Sequence, residues 1–221
     1  MNTPKLNPKM LTVARESRGL NQAELAEKVN LSPSNISRME QDFIEITSSN
    51  FSSIVSVLNY PEEFFYQEGE TLPPALALRK RNIVAQKIMV PIEAQVNIYR
   101  LNVEKLIKAI NYPEISLPVL DIEKLGSPAE AARKLRKIWK IEKGAIPNLT
   151  QVLEENGLFV INFDFNTDRV DGMSILASGK FPILFSNKRS LGDRQRFTLA
   201  YELGHLVMHL QTNPSFKRDI S

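Results

Sequence analysis

The sequence predicts an α+β protein that is mainly α-helical, with five short N-terminal helices, a further helical segment and a small β-sheet. Two short helical patterns meet at a tight corner within residues 21–41, and helical periodicity with capping signals recurs up to residue 156. Runs of β-forming residues lie between residues 158 and 186, and a last long helical pattern follows them. These three observations carry the predicted fold class.

The composition limits the class of protein. A chain of 221 residues with 43% hydrophobic residues suits one large globular domain or two small ones and excludes general disorder. It contains no cysteine, which excludes disulfides and cysteine-ligated zinc. No apolar run approaches the roughly 18 residues of a membrane helix, and the N-terminus lacks the apolar core of a signal peptide. We therefore expect a cytoplasmic protein without a membrane partner.

Charge is unevenly distributed along the chain, whose formal net charge is +3. Residues 1–39 carry six Lys/Arg and three Asp/Glu, a net of +3, whereas residues 40–70 carry none and seven, a net of −7. Residues 71–144 carry fourteen and seven, a net of +7, and residues 145–221 carry eight of each. The first 70 residues thus sum to −4, so nucleic-acid binding there would be modest per monomer and strongly salt-dependent.

The segment 21–41 has the local signals of two helices joined by a corner. Asn21 can cap the first helix, and Glu24 completes a capping box three residues later. Asn30 is suited to the left-handed conformation that ends a helix. Ser32 can cap the second helix, with Pro33 at its first position, where a missing N–H group is harmless. Two such helices form a helix-turn-helix.

The second of these helices has an apolar and a polar side. Ile36 and Met39 point inward, and the outer side carries short or hydrogen-bonding groups: Ser34, Asn35, Ser37, Arg38 and Gln41. A helix of this kind fits the major groove of DNA, where arginine can read guanine and asparagine can read adenine. Free N–H groups at the start of the first helix, near Gln22, suit a phosphate. The candidate DNA-binding residues are Gln22, Ser32, Ser34, Asn35 and Arg38.

Residues 21–41, NQAELAEKVNLSPSNISRMEQ, resemble the helix-turn-helix of lambdoid phage repressors, the XRE family, and the resemblance extends over about the first 65 residues. It implies that Gln22 touches the DNA backbone and that Ser34 and Arg38 read bases, with Asn35 beside them. It also implies a double-stranded operator as partner and a homodimer that spans two half-sites. The residues alone leave a second interpretation open, which is a helical hairpin with a solvated face.

The other N-terminal elements follow from similar signals. The pattern predicts a helix from Asn7-Pro8 to residue 18, an extended stretch with Phe43, Ile44 and Ile46 across the base of the helix-turn-helix, and a helix capped by Ser48 or Ser49. A short fifth helix carries Phe64 and Phe65. We expect a DNA-binding domain at residues 1–68 and a linker at 69–90, whose basic cluster Arg79-Lys80-Arg81 is a solvated face or contacts flanking phosphates.

The remainder, residues 91–221, is expected to form the second domain. Helices are predicted at residues 91–111, 127–139 and 147–156, strands at 158–163, 173–177 and 182–186, and a last helix at 194–210. The last helix is apolar around most of its circumference. We expect a stripe on it to be exposed unless a homodimer or partner protein covers it; the stripe is formed by Leu199, Leu203, Leu206 and Leu210.

The last helix also contains RQRFTLAYELGHL, which is close to a zinc-binding pattern. In His-Glu-x-x-His, two histidines on one helix face bind the metal, and the glutamate is the general base for metal-bound water. Here Tyr201 stands in the place of the first histidine, before Glu202 and His205. A phenol with a pKa of about 10 is a poor zinc ligand at neutral pH. His209 shares a face with His205, but two histidines without further ligands form a weak site.

Residues 75–210 resemble the ImmA/IrrE family of zinc metallopeptidases, whose signature is RQRFTLAHELGHL. Further matches are the basic stretch near Arg79, the helix around 131–139, Ile146-Pro147, LEENGLFV and the turn at Asn187. The resemblance implies that Glu202 is the catalytic base and His205 a zinc ligand. The third ligand of the family is an acidic residue on a later helix, which we expect to be missing because the sequence stops at Ser221. The domain is therefore expected to be degenerate, truncated and without zinc; a functional site would hold zinc.

Three functions remain open at this point. The first is a DNA-binding transcriptional regulator with an inactive metallopeptidase-like domain. The second is an active zinc metallopeptidase that cleaves a partner repressor, with the first domain recruiting it to DNA. The third is an interaction module in a toxin–antitoxin or phage immunity pair, in which DNA binding provides autoregulation.

Overall fold

The chain forms two compact units. A computed structural model defines residues 5–69, 84–110, 112 and 117–209. The first unit comprises residues 1–72 and 85–101, and the second comprises residues 73–84 and 102–221. The cluster Arg79-Lys80-Arg81 lies outside the described residues. None of the described helices is both long and apolar enough to cross a membrane.

The described residues of the first unit form helices and no strand. They are α1 (Pro8–Ser17), α2 (Gln22–Lys28), α3 (Pro33–Glu40), α4 (Ser48–Leu58), a 3-10 helix (Glu62–Tyr66) and the first part of α5 (Gln86–Ala109). The capping signals are confirmed. Asn21 Oδ1 accepts a hydrogen bond from the Glu24 amide at 2.8 Å, and a Glu24 carboxylate oxygen accepts one from the Asn21 amide at 2.7 Å. Asn30 is left-handed, with a φ of 59°, and Ser32 caps α3 with Pro33 in its first turn.

Two expectations for the segment after α3 are wrong. Thr47, and neither Ser48 nor Ser49, caps α4, because Thr47 keeps the extended backbone that a cap needs while both serines are already helical. Phe43 does not cover the base of the helix-turn-helix, since it is 70% exposed. The chain turns sharply at Asp42, whose φ is 60°, and Phe43 lies on the outside of this turn.

The first part of α5 belongs to the core of the first unit. Ala94 and Leu101 are buried there, and the Gln95 amide donates a hydrogen bond to the Ser17 carbonyl at 3.0 Å. The other buried apolar residues of this core are Met10, Leu11, Val13, Ala14, Leu25, Ala26, Val29, Ile36, Met39, Phe51, Ile54, Leu58, Phe64 and Phe65. The helix begins at Gln86, five residues before the predicted start at Pro91. The domain limits at residues 68 and 91 stay predictions.

The second unit packs helices against a three-stranded sheet. Its elements are the end of α5, α6 (Ile122–Leu125), α7 (Pro128–Ile138), α8 (Leu149–Glu155), β1 (Phe159–Phe163), β2 (Gly172–Ala177), β3 (Phe181–Asn187) and α9 (Gly192–His209). The central strand β3 is parallel to β1, with Phe159 opposite Ile183, and antiparallel to β2, with Gly172 opposite Ser186. The three predicted strands are confirmed to within one residue at each end.

The leucines of α9 are buried within the second unit itself. Leu199, Leu203 and Leu206 share a core with Leu153 of α8 and Leu184 of β3. The expectation of an exposed leucine stripe is therefore wrong, because the sheet and α8 already cover that side of the helix. Leu210 lies outside the described residues.

Candidate functional site

The predicted DNA-reading helix α3 has one buried and one exposed side. Ile36 is fully buried and Met39 is 2% exposed, so both fix the helix in the core. Ser34 and Arg38 are exposed, and Asn35 is half-buried. The exposed side carries a hydroxyl and a guanidinium at i and i+4, which lie on one helix face and match the hydrogen-bonding groups of base edges.

A buried ion pair holds α3 against the start of the unit. Arg15 of α1 donates from Nε to Glu40 Oε1 at 2.6 Å and from Nη2 to Oε2 at 3.1 Å. Their side chains are only 8% and 5% exposed. Arg15 also donates to the Leu20 carbonyl at 2.7 Å. Because Glu40 is the last residue of α3, this pair ties the C-terminal end of that helix to α1.

Gln22 joins this ion pair through its side chain. Its amide nitrogen donates to Glu40 Oε2 at 2.7 Å, so the side chain is held in place at the first turn of α2. The backbone N–H groups of that turn remain those expected to face a phosphate. The role of Gln22 in DNA contact stays a prediction.

Burial raises the pKa of Glu16, which lies beside Arg15, and the Arg15 charge lowers that pKa by a smaller amount.

Ser32 has a structural partner as well. Its hydroxyl oxygen accepts a hydrogen bond from the Asn35 backbone N–H at 3.2 Å, which caps α3. Sequence reasoning placed all five candidate residues near α2 and α3, and the structure does bring them together there. It missed Arg15 and Glu40, which position the helix. An arginine among the apolar positions of α1 was the available signal, because a buried arginine requires an acidic partner.

The second candidate site lies on α9, beside β2. Glu202 is fully buried, and its Oε2 accepts a hydrogen bond from the Ser174 hydroxyl at 2.9 Å. Tyr201 is 39% exposed, and its ring contacts the His205 ring edge-on, with 4.5 Å between centroids. Phe197 stacks on the other side of Tyr201 and is 55% exposed. Helix α9 therefore buries the Glu202 carboxylate and leaves the rings of Phe197 and Tyr201 exposed.

The helix and sheet meet very closely at one glycine. A Cβ atom on Gly172 of β2 would lie 2.4 Å from Thr198 Cγ2 and 2.5 Å from the Phe185 carbonyl oxygen. The same edge is held by Asp171, whose carboxylate accepts two hydrogen bonds from the Arg194 guanidinium at 2.8 and 2.9 Å.

The described donor side chains on α9 do not make up the ligand set of a zinc ion. Structural and catalytic zinc sites use three or four His, Cys, Asp or Glu ligands. Over the described ranges, no three such side chains lie close enough together to hold a metal. Tyr201 occupies the place of one ligand, and Glu202 is engaged with Ser174. The side chain of His209 lies outside the described part of the chain.

Comparisons with known families support both halves of this description. Residues 13–65 match the family model described as a helix-turn-helix, and residues 153–220 match the one described as the IrrE N-terminal-like domain, a metallopeptidase family. No curated protein and no solved structure matches the chain. The chain thus joins an XRE-type helix-turn-helix to an ImmA/IrrE-like domain, the fusion that its sequence predicted.

Proposed function

We propose that this protein is a transcriptional regulator that binds a DNA operator through α3 and uses its peptidase-like domain without hydrolysis. The observation that carries the proposal is the pair Ser34 and Arg38, exposed side by side on a helix whose other side is buried. Arg38 is expected to form two hydrogen bonds with a guanine, and Ser34 to contact a neighbouring base or phosphate.

Such a regulator is expected to bind its operator as a homodimer. The first 70 residues carry a net charge of −4, so one copy attracts phosphate weakly. Two copies on half-sites about one helical turn apart would combine their contacts on one operator. The exposed Phe197 and Tyr201 on α9 supply an apolar surface suited to a second copy or to a toxin, antitoxin or repressor partner.

The experiment starts with selection of bound sequences from a random DNA pool by the full chain. Arg38→Ala should then lose about 1–3 kcal/mol of discrimination between the selected operator and a random duplex. Lys28→Ala is the matched control, because it removes the same charge from an exposed position at the end of α2. Equal discrimination by wild type and Arg38→Ala would contradict the proposal.

A zinc metallopeptidase that cleaves a partner repressor is the second candidate. The match to the IrrE-like family favours it, together with Glu202 and His205, which stand at the positions of the family base and ligand. The two candidates differ in one measurable quantity. The regulator holds well under one equivalent of zinc, whereas stoichiometric zinc with cleavage of a co-encoded repressor would establish the peptidase.

A further inference from the structure

The second unit carries a dense cluster of positive charge on α7 and the turn after it. Residues 131–144 contain six Lys/Arg and one Asp/Glu, a net of +5. Five of the six basic residues are exposed. We call the four exposed lysines of this segment the basic face: Lys134, Lys137, Lys140 and Lys143.

The basic face sits on a firmly packed scaffold. Ala131 and Leu135, on the other side of α7, are 1% and 7% exposed and belong to the core of the second unit. After the helix, Lys140 adopts a left-handed conformation with a φ of 53°. The Arg136 guanidinium donates to the carbonyl oxygens of Glu142 and Gly144 and closes the turn. Lys134 and Lys137 therefore lie on a helix packed against the core, and Lys140 and Lys143 lie in the turn that Arg136 closes.

The positive charge of the basic face is not neutralised within the described structure. Arg133 pairs with Glu130 at 2.5 Å. By contrast, none of the four lysine ammonium groups forms an ion pair or hydrogen bond with another residue in the described ranges. Four uncompensated lysines over ten residues produce a local field that attracts a polyanion.

Duplex DNA is the polyanion that best fits this chain. The first unit has the side chains to read bases but a net charge of −4 over residues 1–70, so its attraction to phosphate is weak. In most specific complexes, contacts between Lys/Arg and phosphate supply a large share of the affinity. We propose that the basic face binds DNA phosphates without reading sequence, and so supplies affinity that the helix-turn-helix lacks. This inference rests on the proposed DNA-binding function.

The test measures the salt dependence of full-chain binding to a random-sequence duplex. The slope of log K against log salt concentration is negative, and each lysine–phosphate contact contributes about 0.9 to its magnitude. Lys134→Gln/Lys137→Gln should reduce that magnitude by about 1.8, and weaken binding at 0.1 M salt roughly 60-fold. The matched control is Lys105→Gln/Lys108→Gln, which removes two exposed lysines with the same i, i+3 spacing from α5. The control should change neither quantity.

Two further variants guard against a loss of folding. Lys134→Arg/Lys137→Arg should keep the wild-type slope. Lys140→Gln/Lys143→Gln, in the turn, should reduce the magnitude of the slope as Lys134→Gln/Lys137→Gln does. An unchanged slope in both glutamine pairs, or an equal fall in the control, would overturn the proposal. Unchanged DNA binding with loss of a co-purifying acidic protein would likewise overturn it and assign the face to that protein. Arg38→Ala separates the two proposals, because its loss of operator preference does not depend on the basic face.

Discussion

The buried pair between Arg15 and Glu40 gives the strongest single test of how α3 is held. Glu40→Ala removes the acceptor of three hydrogen bonds, at 2.6, 3.1 and 2.7 Å, two of them from Arg15 and one from Gln22. Among the described residues, the buried Arg15 guanidinium then keeps the Leu20 carbonyl and the Glu16 carboxylate as partners. Breaking such a pair from one side typically costs about 3–5 kcal/mol. A loss of that size is a large part of the roughly 5–15 kcal/mol that stabilises a small domain.

Hydrogen exchange is the suitable assay, because the chain has two units that need not unfold together. Amides of the first unit, such as that of Ile36, should exchange about two to three and a half orders of magnitude faster in Glu40→Ala. Amides of β3 in the second unit serve as an internal control. Arg15→Met/Glu40→Met should recover most of the loss, since no charge stays buried. A change below about 1 kcal/mol in Glu40→Ala would show that this ion pair does not stabilise the first unit.

Three other predictions address the second unit. Gly172→Ala should destabilise it by about 1–3 kcal/mol in thermal unfolding, because the new methyl group overlaps Thr198, and full stability would contradict this packing. A hydrogen bond from the Asn166 backbone amide is the largest cause that lowers the pKa of Asp164 to about 2, and the side chains of Arg189 and Lys188 lower it further. Its stabilising contribution should therefore be present above pH 4 and be lost as the pH falls through about 2; an Asp164 carboxyl that titrates near 4 by NMR would contradict it. Purified wild-type protein, with Tyr201 in place of a histidine, should contain well under one equivalent of zinc by elemental analysis, and one equivalent would refute this.

Local signals made most of the first unit predictable. Asn21 with Glu24, and Ser32 with Pro33, are close in sequence and act within one helical turn, so their pattern fixes where α2 and α3 begin. The same holds for the three strands, which are short runs of β-forming residues between turns. The left-handed conformation of Asn30 could likewise be predicted locally, because asparagine is suited to this conformation at the end of a helix.

The features that sequence missed depend on residues far apart in the chain. Arg15 and Glu40 are 25 positions apart, and no local pattern joins them. Whether Leu199 is exposed was decided by β3 and α8, which cover it. The contact between Ser174 and Glu202 joins a strand to a helix 28 residues later. Long-range packing of this kind follows from the whole fold and leaves no periodic trace in the sequence.

We expect the exposed side of α3 to contact DNA, and NMR chemical shifts measure this contact directly. On addition of the selected operator to the full chain, the largest amide shifts should fall on residues 33–41 and on the first turn of α2. The Arg38 side-chain resonances should move with them. Shifts of that size elsewhere in the first unit, with α3 unaffected, would contradict DNA binding through α3.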